Sequence, residues 1–113
     1  MHEFSIALSI VDIAEKEVKK HKATSVERIE LEIGKLSGIE PQALDFAWEF
    51  AVNDTVLEKA KKEIHYIKGK AVCLECSGEY DLENIFDECP FCHSYSKDFK
   101  SGKELRVKSL TLI

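Results

Sequence analysis

The sequence predicts an α+β fold: a small sheet of about three strands with two helices, interrupted by an inserted cysteine-bearing module. Three observations lead there. Apolar residues recur at intervals of three and four in two stretches, which is the spacing of amphipathic helices. They alternate with polar residues in a third stretch, and two further apolar-rich segments have the length of strands. Between those last two segments fall all four cysteines of the chain.

The first helix is expected from Phe4 to Lys22, with Phe4, Ala7, Leu8, Val11, Ala14 and Val18 as its buried stripe and Ile6, Ile10 and Ile13 widening it. Its charges run with the helix dipole, since Glu3 and Asp12 lie toward the start and Lys19, Lys20 and Lys22 crowd the end. Ser25 to Lys35 alternates, placing Ile29, Leu31 and Ile33 on one face and Glu30 and Glu32 on the other, so it reads as a strand with one wet face. Gly34 and Gly38 then break the pattern. Pro41 suits the first turn of a second helix, expected from Pro41 to Asn53 with Leu44, Ala47, Trp48 and Ala51 buried. Lys61 to Lys68 and Leu105 to Ile113 complete the strands, the latter changing phase between Val107 and Leu110 as a bulge near Ser109 would allow.

Cys73-Leu74-Glu75-Cys76 and Cys89-Pro90-Phe91-Cys92 form a C-x2-C-x12-C-x2-C array with no cysteine left over. Each C-x2-C turn converges two thiolates on one point, and two turns supply the four tetrahedral sulfurs of a structural zinc site. The inserted module is therefore expected to be zinc-ribbon-like. Two redox dithiols or two disulfides are the competing uses. Disulfides suit an oxidising compartment, whereas the start of this chain lacks a basic leader and a small-residue cleavage site, so a cytoplasmic location and a reduced zinc site are expected. A redox pair would need a helix N-terminus beside a βαβ pattern. The module spans 70–102, and the sheet-and-helix domain takes 1–69 and 103–113. Glycines at both junctions, Gly69 and Gly102, are expected to let the module pivot.

With 113 residues there is room for one small core, so zinc binding is expected to supply much of the module's folding energy. The formal charge of −5 argues against a phosphate-binding surface. The cysteine loop makes the same point, carrying Glu75, Glu79, Asp81, Glu83, Asp87 and Glu88 and no Lys or Arg from Leu74 to Phe91. A zinc-ribbon module for nucleic acid or for an assembly is the alternative reading, with Lys97, Lys100 and Lys103 as its basic residues. No run approaches a membrane span. No G-x-x-x-x-G-K-[ST] loop and no recognisable nucleophile set occur, so no enzymatic activity is expected.

The start, Met1-His2-Glu3, has two readings. One is a frayed, solvated terminus. In the other, the terminal amine, the following amide nitrogens and the His2 imidazole chelate an ion in fused rings, a planar nitrogen set that suits nickel(II) or copper(II). His2 is not the small second residue that methionine removal requires, so Met1 is expected to be retained. Among the other histidines, His93 follows the last ligand and could replace a thiolate, bond to its sulfur or face solvent. His21 and His65 read as structural.

Taken together, the Met1-His2-Glu3 start, the Ile33-Gly34 turn with Glu40 beyond it and the two C-x2-C pairs resemble the HypA/HybF family of hydrogenase nickel-incorporation proteins over the whole chain. The resemblance implies a metallochaperone, with nickel as transient cargo at Met1, His2 and Glu3 and structural zinc on Cys73, Cys76, Cys89 and Cys92. Glu40 stands where some relatives carry an acidic residue implicated in nickel binding. The implied partners are a HypB-type GTPase, the large subunit of nickel–iron hydrogenase and, for some members, a urease accessory protein, with neither nucleic acid nor membrane among them. One departure is local: many members have glycine after the last cysteine, where this chain has His93.

Overall fold

The computed structural model describes residues 3–113. Helix α1 covers Glu3–Lys20, strand β1 Val26–Gly34, helix α2 Pro41–Ala51 and strand β2 Lys61–Ile67. Strands β3 (Gly69–Cys73), β4 (Glu79–Leu82) and β5 (Lys97–Ser101) carry the inserted module, and β6 (Leu105–Leu112) closes the order. The first sheet has the order β2-β1-β6 and the second β4-β3-β5. The predicted α+β class, with two helices and a three-stranded sheet plus an inserted module, is what the chain adopts. The module is itself a small sheet.

By contacts the chain divides into two compact units, one of residues 1–31, 39–64 and 107–113, the other of 32–38 and 65–106. In the first, α1 and α2 pack on one another. Ala7, Ile10, Val11, Ala14 and Val18 from α1 are buried along with Leu44, Ala47, Trp48 and Ala51 from α2, Ile29 and Leu31 from β1, and Leu57. Phe4, Leu8 and Ile13 depart from the predicted stripe, at 47%, 45% and 44% exposed. A helix on a small sheet buries only a narrow arc, and alanines and valines fill it here. α1 also stops earlier than its periodicity predicts. Lys22 turns left-handed at φ 54°, and the Ala23 N–H reaches back to the Val18 carbonyl at 2.9 Å, the pattern that ends a helix.

β1 shows the expected alternation, with Ile29 and Leu31 buried between exposed or half-buried acids. Ser25 and Ile113 exchange backbone bonds at one end of the β1–β6 pair, and the Gly34 N–H bonds the Glu104 carbonyl at the other, so the strands are antiparallel. The Lys35 N–H bonds Ile67 where β1 and β2 both end, so that pair is parallel and α2 serves as its crossover. Along β6 burial changes phase between Ser109 and Leu110, both half-buried.

In the second unit, β3 pairs antiparallel with β4, Ala71 opposite Tyr80, and with β5, Ala71 opposite Phe99. Its core is small, formed by Ala71, Cys73, Tyr80, Leu82 and Cys89 with Leu36 and Phe99 packed against it. Glycines allow close packing at the base of this unit. A Cβ on Gly34 would lie 1.9 Å from the Gly102 carbonyl oxygen, and one on Gly102 would lie 2.7 Å from the Gly69 Cα. Gly102 also has φ of 112°, a conformation that side chains rarely adopt.

Gly34→Ala is expected to force backbone apart at this junction and to cost about 2–4 kcal/mol. Gly38→Ala, where a Cβ meets nothing within 4 Å, is expected to cost only the strain of a φ of 83°. Chemical denaturation of both variants checks the ordering, which fails if Gly38→Ala is the more destabilised.

Candidate metal centres

Each C-x2-C elbow is built by the same backbone pattern. In the first, the Cys73 N–H donates to the Gly78 carbonyl at 2.9 Å and the Cys73 carbonyl accepts from Ser77 at 3.0 Å. In the second, the Cys89 N–H donates to Ser94 and the Cys89 carbonyl accepts from His93, each at 2.8 Å. Both turns close on a left-handed residue, Ser77 and His93, each at φ 65°. That conformation is the physical reason glycine suits the position after a second cysteine. The His93 ring turns outward, its Nδ1 lying 3.2 Å from Glu88 Oε1, so the solvent-facing reading describes it.

Backbone amides are aimed at the sulfurs. Glu75 and Cys76 N–H donate to Cys73 Sγ at 3.4 and 3.5 Å, and Phe91 N–H donates to Cys89 Sγ at 3.4 Å. The four Sγ atoms lie within 4.8 Å of one another, with Cys73 3.5 Å from Cys92 and Cys76 3.7 Å from Cys89. Those distances are far beyond the ~2.05 Å of a disulfide. They match the edge of about 3.8 Å that four sulfurs make around one ion at a Zn–S distance of ~2.3 Å. The donor set therefore fits zinc, with Cys73 and Cys89 buried and Cys76 and Cys92 exposed.

Proton affinities within the cluster diverge. The Cys76 N–H is the main cause that lowers the Cys73 thiol to about 7, against burial and with help from the Glu75 N–H. At Cys92 the Ser94 N–H favours the thiolate, but bonding to the other sulfurs, Cys73 first, together with burial pushes the thiol up to about 12. Four thiolates this close repel one another, so full ionisation requires a cation. Burial, then the charge that Cys89, Cys73 and Cys92 carry when ionised, raises the Tyr80 phenol.

The acidic loop before the second elbow has its own anchor, which sequence reading missed. Asp87 Oδ2 accepts the N–H groups of Glu83 at 2.8 Å and Asn84 at 3.0 Å. Those amides, Asn84 first, hold the Asp87 carboxyl below the usual carboxylate range. Its only sequence signal is an Asn-x-x-Asp spacing.

Of the four residues expected to concern nickel, Met1 and His2 lie outside the described residues. Glu3 opens α1 and is buried at 5% exposure. Its Oε2 accepts the backbone N–H of Glu40 at 3.0 Å. Glu40 is the N-cap of α2, its own Oε2 accepting the Ala43 N–H at 2.8 Å, with Pro41 at the first helical position. Two acids 37 residues apart in sequence therefore meet at one helix N-terminus, whose partial positive charge favours them.

The family model described as hydrogenase/urease nickel incorporation, metallochaperone, matches residues 1–112. The chain belongs to the HypA family. The hydrogenase maturation factor HypA of Parabacteroides distasonis is 46% identical over 112 residues, covering 99% of this chain and 97% of the relative. That of Geobacter metallireducens is 42% identical over 110 residues, covering 97% of each. The solution structure of the nickel metallochaperone HypA from Helicobacter pylori superposes with a TM-score of 0.71 at 28% identity, covering 100% of this chain and 98% of that one. The family resemblance read from the residues is thus borne out over the full length.

Two predictions concern the sulfur module. His93→Gly is expected to relieve the left-handed strain and raise stability by up to about 1 kcal/mol with zinc stoichiometry unchanged, as thermal unfolding with metal analysis will show; lost zinc would instead make the imidazole a ligand. A depressed carboxyl stabilises above its ordinary pKa, and the effect is lost as pH falls through the lower folded value. Asp87→Ala at neutral pH should therefore lose the amide-exchange protection of Glu83 and Asn84, a loss the unaltered chain shows only in acid. Equal protection in both chains at neutral pH counts against the anchor.

Proposed function

We propose that this chain is a nickel metallochaperone that holds Ni(II) at Met1, His2 and Glu3 and delivers it for maturation of nickel–iron hydrogenase. Carrying the reading is the full-length family match on a chain that begins Met1-His2-Glu3. The terminal amine, the adjacent amides and the His2 imidazole are the donors. Glu3 contributes by a carboxylate anchored on the Glu40 N–H, which ties the start of α1 to the start of α2. Glu40, occupied as the cap of α2, is kept as an outer candidate.

Cys73, Cys76, Cys89 and Cys92 hold zinc, which when bound supplies four Zn–S bonds where the surrounding core is small. The nickel part comprises 1–69 and 103–113 and the zinc part 70–102. The expected process is ligand exchange, so the chain is not an enzyme. A HypB-type GTPase supplies any nucleotide hydrolysis, the hydrogenase large subunit is the acceptor, and a cytoplasmic location follows from these partners. Nucleic acid and membrane are not among the partners; no helix of the described residues is long and apolar enough to cross a membrane. A second acceptor is favoured by the family description, which names urease beside hydrogenase and so brings in a urease accessory protein.

His2→Ala is expected to abolish stoichiometric nickel binding while zinc content and fold persist, and an N-terminal extension that blocks the amine is expected to weaken it as well. Binding should fall as pH drops through about 6.5, where free imidazole protonates. Isothermal titration of nickel into the three proteins, with X-ray absorption on the native one, checks both. Undiminished affinity in His2→Ala refutes the site.

A further inference from the structure

One surface of the first unit has features that no metal ligand explains. Phe46 and Phe50, one turn apart on α2, are 68% and 63% exposed, and their rings meet edge to face with centroids 5.2 Å apart. Phe4 and Leu8, also one turn apart, stand exposed on α1. The two helices run side by side in the same direction, for Glu3 reaches the start of α2 and the Glu15 carboxylate accepts the Val56 N–H just beyond its end. Phe46 and Phe50, in contact and exposed together, form an apolar pair rimmed by polar residues, the kind of patch that marks an interaction surface.

Charge identifies what covers them. From Gly38 to Glu58 the chain carries Glu40, Asp45, Glu49, Asp54 and Glu58 and no Lys or Arg. An open hollow of about 680 Å³ on the neighbouring face of α2 is lined by Asp45, Trp48, Glu49, Asn53, Glu58 and Lys62, and Glu49 stands three residues from Phe46, one turn along the helix. Lys62 lies 5.1 Å from the Trp48 ring centroid and 2.8 Å from Asp45, leaving Glu49 and Glu58 on the rim for an incoming cation. A second copy of this chain, itself at −5, would bring acids against acids. Anionic lipid and nucleic acid are repelled for the same reason.

We infer that the Phe46–Phe50 face of α2 docks a basic amphipathic helix of a partner protein, apolar side chains on the phenylalanines and Lys or Arg over Glu49 and Glu58. This is helix-on-helix recognition by apolar anchors with a charged rim. No proposed nickel or zinc ligand other than the outer candidate Glu40 lies in that segment, so the inference stands whether or not nickel binds at Met1-His2-Glu3.

The test uses the full chain and a labelled helical peptide of about 15 residues with leucine on one face and lysine on the other, alongside a leucine–glutamate peptide of the same pattern and a scrambled leucine–lysine peptide. Fluorescence anisotropy is expected to show binding of the patterned basic peptide only. Phe46→Ser with Phe50→Ser, and separately Glu49→Lys, are each expected to weaken it about tenfold or more at unchanged thermal stability, since all three side chains are exposed. Equal binding of the patterned and scrambled basic peptides, binding of the acidic peptide, or unaltered affinity in Glu49→Lys overturns the proposal. So does sedimentation showing a dimer that the phenylalanine substitutions dissolve, which would make the occupant a second copy.

Discussion

Holding four cysteine sulfurs within 4.8 Å of one another is the constraint on which the second unit depends. That unit has few buried apolar side chains, and two of its core members are the cysteines Cys73 and Cys89. The chain must therefore organise its backbone around the sulfurs rather than around a hydrophobic interior. It does so by repeating one turn twice: amides aimed at the first sulfur, a carbonyl closing the loop and a left-handed residue after the second cysteine. The contacts cross between elbows, Cys73 with Cys92 and Cys76 with Cys89, so a cation shared by the four sulfurs would tie segments more than a dozen residues apart. Closing such a loop is entropically costly, and ligand bonds offset that cost.

At the other metal-related position the chemistry is one of placement. Glu3 and Glu40 are both anchored to backbone N–H groups at the start of α2. A carboxylate committed to a helix N-terminus holds still, and what it holds here is the first described residue of the chain. The start of α1 is thereby fixed to the start of a second helix.

Acidity is distributed with the same economy. Both arginines of the first sheet are paired, Arg28 with Glu63 and Arg106 with Glu32. α2 carries only acids, and the phenylalanines stand among them. Exposed aromatic side chains between carboxylates suit a positively charged partner and discourage self-association, because attraction and rejection come from the same surface.

Periodicity and spacing alone determined the helix–strand–helix–strand order, the alternation of Ile29 and Leu31 and the pairing of the cysteines, and the motifs at the start and in the cysteine pairs carried the resemblance to the HypA family. These are local properties, readable because side-chain spacing follows backbone geometry directly. Tertiary structure decided the rest. Phe4 and Leu8 match the helical period, yet a two-helix layer leaves them outside its narrow buried arc. Gly69 and Gly102 stand apart in a string of letters but meet in space, at points where backbones touch. Glu3 and Glu40, Asp87 and the amides it gathers, and the left-handed Ser77 and His93 have functions set by neighbours in space and by backbone angles, which the one-dimensional pattern does not encode.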